Sequence, residues 1–105
     1  MVVSWTLKKG DYGVVKEARI ISSDGTPRDL TGMTVKLKVW RVVENLLLIK
    51  TLEVTEPTDG KVKWTVAQND LANIPLGVYS AEIELIASGY VESTETFQLN
   101  IMESG

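Results

Sequence analysis

The 105-residue chain contains neither cysteine nor histidine. The first absence excludes a disulfide framework, thiolate zinc sites and a cysteine nucleophile. The second removes the commonest general base and the commonest metal ligand. No apolar run approaches the roughly 20 residues of a membrane span. The opening MVVSWTLKKGD has no basic leader followed by an apolar core, so no export signal is expected in this chain. Charge of one sign is scarce too. Lys and Arg number 11 against 14 Asp and Glu, and the net charge of −3 gives no electrostatic case for nucleic acid or an anionic membrane as partner.

Hydrophobic residues make up 44% of the sequence and charged residues 24%, which is the composition of a packed domain rather than a disordered chain. The length fits one domain spanning residues 1–105, and a domain of this size buries roughly 60 to 70% of its unfolded surface. A single core without staples is therefore expected.

The dominant period is two. In MTVKLKVW, Val35, Leu37 and Val39 share one face while Thr34, Lys36 and Lys38 share the other. KVKWTV repeats the pattern with Val62, Trp64 and Val66, and FQLNI with Phe97, Leu99 and Ile101. Strict alternation marks half-buried strands of antiparallel sheets. Asp24-Gly25, Asp59-Gly60 and Ser88-Gly89 supply reversals between them. These signals predict about seven strands: Val2–Lys8, Val14–Ile21, Met33–Val43, Leu46–Thr55, Lys61–Val66, Gly77–Ala87 and Val91–Met102. The longer connection 67–76 has room for one helical turn, capped by Asn69 or Asp70 and ended by Pro75. The expected fold is all-β, an immunoglobulin-like antiparallel sandwich, with a small closed barrel as the alternative.

IPLGVYSAEIEL carries a tyrosine at the start of a strand. In immunoglobulin-type sandwiches, a tyrosine two residues before the second cysteine position bonds back to upstream backbone and pins the corner. Tyr79 stands two residues before Ala81, the small inward residue at that position. Tyr79 is therefore read as a structural corner in preference to a ligand-stacking or catalytic group.

Chemistry is thinly represented. Glu82 and Glu84 lie on one strand face about 7 Å apart, a spacing that suits a carboxylate pair. A general acid needs burial to raise its pKa, and these two alternate with an apolar set, so a solvated face is expected. Asp11, Asp24, Asp29, Asp59 and Asp70 are scattered, without the D-x-D-x-D-G spacing of a calcium loop. No phosphate-binding glycine loop and no G-x-S-x-G is present. No catalytic, metal-binding or cofactor-binding residue is assigned, and no enzyme is expected.

VWRVVENLLLIK departs from alternation because it is apolar on both faces. Trp40 and Val42 share a face with Lys36 and Lys38. If Leu46 and Leu48 point inward, Leu47 and Ile49 point out. Either a loop covers this patch, or strand twist and a bulge near Glu44-Asn45 switch the faces, or Trp40, Val42, Leu47 and Ile49 form a subunit interface. Trp5 is compatible with that surface or with the core.

Four pieces in order, DLTGMTVKLKV, TLEVTEPTDGKVKWTV, IPLGVYSAEIEL and TETFQLNI, resemble the N-terminal immunoglobulin-like domain of phage baseplate upper proteins. The resemblance rests on the LTG strand entry, the Val54–Val62 hairpin, the Tyr79 strand and the closing Thr94, Phe97, Leu99 and Ile101. It covers about three quarters of the chain. It implies a virion location in the tail or baseplate and a non-enzymatic structural role. It also implies packing as a homo-oligomer or against other tail proteins. The alternative expectation is a binding module of a cell-surface or carbohydrate-active protein, using Trp5, Trp40 or Tyr90.

Overall fold

The computed structural model describes residues 4–10, 12–22, 24–42, 45–67, 69–72, 74–94 and 96–103. The side chains of residues 4, 42, 45 and 46 lie outside this description. Nine strands follow in chain order: β1 Ser4–Lys8, β2 Val15–Arg19, β3 Thr34–Val42, β4 Asn45–Thr51, β5 Glu53–Glu56, β6 Lys61–Thr65, β7 Gly77–Ala87, β8 Tyr90–Ser93 and β9 Phe97–Met102. They form two sheets. The larger runs β1-β9-β7-β3-β4, with β8 also on β7, and the smaller runs β2-β6-β5. All pairings are antiparallel except β1 with β9, which is parallel.

Among the described residues nine strands replace seven because two of the expected strands, Leu46–Thr55 and Val91–Met102, each divide. At Leu52 the chain leaves the larger sheet. Its N–H still donates to Val35 O at 2.8 Å, and its side chain is buried, but Glu53 onward pairs with β6. The second division lies between β8 and β9, which both pair with the side of β7 away from β3. Thr94 N donates to Ile83 O at 2.9 Å, while Ile83 N donates to the Thr94 side-chain Oγ1 at 3.0 Å. A hydroxyl thus replaces a backbone acceptor where the strand breaks.

The alternating residues meet between the sheets. Val35, Leu37 and Val39 from β3 and Tyr79, Ala81, Ile83 and Leu85 from β7 are buried, as are Leu99 and Ile101 from β9. Val62 and Trp64 close the core from the smaller sheet. Trp5 is 7% exposed and belongs to this core. Its ring centroid lies 6.1 Å from Trp64 and 5.6 Å from Phe97, the latter edge-on.

Connection 67–76 contains turns where a helical turn is expected. Asp70 N, Ala72 N and Ile74 N donate in succession to Ala67, Asn69 and Leu71 carbonyls. The tertiary structure uses Asp70 differently: its carboxylate accepts from Ala67 N at 2.8 Å and Trp64 Nε1 at 3.0 Å. Among the described residues, helical structure is confined to one 3₁₀ turn, Pro57–Asp59. The LTG entry is a local turn in which the Asp29 carboxylate accepts from Thr31 N and Oγ1, and Leu30 is driven into the core.

Candidate assembly surface

The outer faces of the two sheets differ in kind. On the smaller sheet, in-register pairs place Glu17 beside Lys63 and Arg19 beside Lys61. Arg19 is ion-paired to Asp59 at 2.6 Å, Lys61 to Glu56 at 3.0 Å, and Lys63 to Glu53 at 3.7 Å. Arg19 holds the Asp59 carboxyl below its ordinary value, and Glu56 raises Lys61. These pairs are solvated and contribute little stability each; they make most of this face polar, with Val15 exposed at one end of β2.

On the larger sheet a band of charge crosses β3 and β7. Lys38 crosses from β3 to Glu84 on β7 at 2.7 Å. Glu84 is therefore more covered than a solvated face implies, and Glu82 beside it is half-buried. This is a cross-strand ion pair rather than a pair of carboxylates set apart for acid–base work.

Next to that band lies the doubly apolar segment. The register pairs Lys38 with Ile49 and Val39 with Leu48, then jumps to Trp40 with Leu46 and to Val42 with Asn45. The jumps leave Leu47 on β4 and Arg41 on β3 as the extra residues. The irregularities thus sit at Leu47 and Arg41, beside the Glu44-Asn45 position of one alternative; Glu44 lies outside the described residues. Leu48 packs against the core. Leu47 is 37% and Ile49 51% exposed. Trp40 is half-buried, and the side chain of Val42 lies outside the described residues.

Arg41 reaches across to β7 and the loop before it. Its guanidinium carbon stands 4.7 Å from the centroid of the Tyr79 ring, and its Nη2 donates to Leu76 O at 3.4 Å. Tyr79 is 2% exposed, and its hydroxyl donates to Pro75 O at 2.5 Å. The shallow recess beside Arg41 is lined by Ser80, Thr96 and Gln98 and gathers no carboxylate.

The scattered aspartates have local duties. Asp24 and Asp29 each accept from a threonine two residues on, and these bonds hold both carboxyls below their ordinary value. Asp70 joins three elements, since Lys50 on β4 also reaches it at 2.9 Å. Asp11 lies outside the described residues. Among the described residues, no three acidic side chains converge on a point that would hold a metal ion.

Tyr90 sits at the tip of the β7–β8 hairpin. Its hydroxyl accepts from Arg28 Nη2 at 2.8 Å and faces Met33 Sδ at 3.8 Å. Arg28 also reaches Glu92 at 2.9 Å. The Arg41–Tyr79 and Arg28–Tyr90 contacts join residues far apart in sequence, so no local pattern marks them. The Asp70 contact had a signal: a buried tryptophan N–H needs an acceptor, and Trp64 has an acidic loop residue close by.

The family model of the BppU N-terminal domain, that of phage baseplate upper proteins, matches residues 6–105. The chain belongs to this family. Among solved structures, the N-terminal domain of phage TP901-1 ORF48 is similar, with a TM-score of 0.72 and 17% identity, over 94% of this chain and 84% of that one. The endo-β-1,4-mannanase from Thermotoga petrophila gives 0.55 at 15% identity, covering 98% of this chain but 18% of the enzyme. CopC from Methylosinus trichosporium OB3b gives 0.51 at 6% identity, covering 96% of this chain and 87% of CopC. At these identities the likenesses show the fold. No curated protein matches the chain. A structural role in the phage tail is what BppU N-terminal domain membership implies. Among the described residues, no helix is long and apolar enough to cross a membrane.

Proposed function

We propose that this BppU-type domain is a non-enzymatic assembly module of a phage tail or baseplate, packing against its own copies or other virion proteins. The contact surface is the flank of the larger sheet at Trp40, Val42, Leu47 and Ile49. One observation carries the reading: the smaller sheet presents ion pairs to solvent, while the β4 flank presents exposed Leu47 and Ile49. Contiguous exposed apolar side chains mark partner surfaces more often than idle ones.

Replacing Leu47 or Ile49 by aspartate should abolish assembly, read as molar mass by light scattering or as capture by neighbouring tail proteins. The melting temperature should stay within a few degrees of the parent, since exposed positions tolerate charge. Unfolding of both variants would instead make them core residues and remove the proposed surface.

Tyr79 in this reading is a structural corner. Support comes from its buried ring and the hydroxyl bond to Pro75, four residues upstream. Tyr79→Phe should cost about 1 kcal/mol, the net worth of a typical hydrogen bond, since solvent reaches exposed Pro75. Urea denaturation measures this, and assembly of the folded variant should be unchanged.

The rival reading, a glycan- or surface-binding module, needs aromatic side chains displayed for stacking. Trp5 is in the core, and Tyr90 is engaged by Arg28 and Met33. Both facts weigh against it.

A further inference from the structure

Arg41 is the extra residue of β3. The β3–β7 ladder ends one residue earlier, at Trp40–Ser80, and the β3–β4 register skips Arg41. Its side chain is held all the same. The guanidinium lies over the buried Tyr79 ring, and Nη2 donates to Leu76 O. Gly77 makes the space for it, because a Cβ there would collide with Nη2. A surface arginine ordinarily samples many rotamers, and one fixed in advance loses less freedom when it binds.

The charge of Arg41 is not used inside the domain. Among the described residues Arg19 reaches Asp59 and Arg28 reaches Glu92, while no carboxylate reaches Arg41. Its two contacts, a ring face and a carbonyl oxygen, are both neutral. Arg41 is also exposed, so a ligand can reach it. The recess beside it has a volume of about 380 Å³, near the small end of the range of about 300 to 1,000 Å³ for ligand sites. Ser80, Thr96 and Gln98 add neutral hydrogen-bonding groups to its lining.

We propose that this recess is a carboxylate-binding site with Arg41 as its anchor. Stacking on Tyr79 uses the face of the guanidinium, and Leu76 O takes one N–H, so in-plane donors remain. A planar carboxylate matches such an edge with two parallel hydrogen bonds. The described lining holds no second cation, and one positive charge balances one negative charge. That selects a carboxylate over a phosphate dianion. The carboxylate belongs to a free small acid or to an acidic side chain of a second copy, and the two sources leave different traces in solution. The site does not depend on the Leu47–Ile49 surface, so it stands or falls apart from the assembly reading.

Proton–nitrogen correlation NMR on the full chain, titrated with sodium acetate, tests this, with sodium chloride at matched ionic strength as the blank. The parent should show saturable shifts at the Arg41 Nε–H and at the Ser80 and Gln98 amides. Arg41→Lys keeps the charge but loses the fork, and should bind acetate about tenfold more weakly. Arg41→Gln should not bind it. Shifts that chloride reproduces, that fail to saturate, or that persist in Arg41→Gln overturn the proposal. Equal affinity in Arg41→Lys overturns recognition by the fork, and tighter binding of inorganic phosphate than of acetate overturns the carboxylate class. If Arg41→Gln unfolds, Arg41→Lys and the chloride blank decide. Light scattering separates the sources. A molar mass that falls as acetate is added supports a side chain of a second copy, and an unchanged mass with acetate bound supports a free acid.

Discussion

Asp70→Ala is expected to lower stability by about 3 kcal/mol, from the penalty of about 1 to 3 kcal/mol for each buried group left without its partner. For a domain near this size that is on the order of 15 °C in melting temperature. The Asp70 side chain is 8% exposed and serves three partners: Trp64 Nε1, Ala67 N and Lys50 Nζ. Trp64 is buried, so water cannot easily replace the lost acceptor. Ala67 and Lys50 are reached by solvent and add less. Asp70→Asn keeps an acceptor for both N–H groups but loses the charge and turns an NH2 toward Lys50 Nζ, so about 1 kcal/mol is expected, mostly from the lost Lys50 contact. Equal losses in the two variants would show that the charge, not the hydrogen bonds, dominates.

The same site gives a pH dependence. Burial pushes the Asp70 carboxyl up, but the bonds from Ala67, Lys50 and Trp64 outweigh it and hold it below its ordinary value of 3.8. A carboxyl lowered in the folded state contributes stability that is present above the unfolded value and lost as pH falls through the folded one. The urea midpoint should therefore be flat above about pH 5 and fall below pH 4. Asp24, Asp29 and Asp59 are shifted in the same direction and share that window. Asp70→Asn should make the acid slope shallower, and an unchanged slope would assign it to the other three.

Gly60→Ala is expected to cost about 3 kcal/mol or more, combining a left-handed backbone penalty of about 1 to 2 kcal/mol with a steric shift. Gly60 follows the 3₁₀ turn with φ +68° and caps it, donating to Pro57 O. A Cβ built there would stand 2.5 Å from Ile20 O and 3.0 Å from Arg28 O, both backbone atoms. Its own carbonyl accepts from Ile20 N at 2.8 Å, so the β5–β6 hairpin is tied to the chain leaving β2. Gly89→Ala is the control, because its φ of +90° is also left-handed but its surroundings are open. That variant should lose only the backbone penalty, about 1 kcal/mol. Similar thermal shifts for both variants would show that close packing at Gly60 adds nothing.

Much of the fold was legible because burial in a sheet imposes a period of two. Val35, Leu37 and Val39, like Phe97, Leu99 and Ile101, stand in the core where alternation put them. The bounds of β7, Gly77–Ala87, were legible for the same reason. The breaks were not. Nothing local in LEVTE says that Leu52 is where the chain changes sheets, since its role depends on Val35 accepting its N–H. The parallel pairing of β1 with β9 joins the two ends of the chain, which no nearby pattern reports.

The candidate surface divides the same way. The apolar run at residues 46–49 was visible as a violation of alternation, and Leu47 and Ile49 were the residues that could not both be inside with Leu48. That Trp5 belongs to the core was undecided, because MVVSWTLK alternates too briefly to choose a face; Trp64 and Phe97 decide it.

The sequence alone determined an all-β domain, the inward residues of its main strands and its place in the BppU N-terminal family, because periodicity and motif order survive without coordinates. The tertiary structure alone decided which strands stand at sheet edges. It also decided which loop carboxylate is buried under a tryptophan. These depend on contacts between distant residues, which hydrophobic patterning along one strand does not encode.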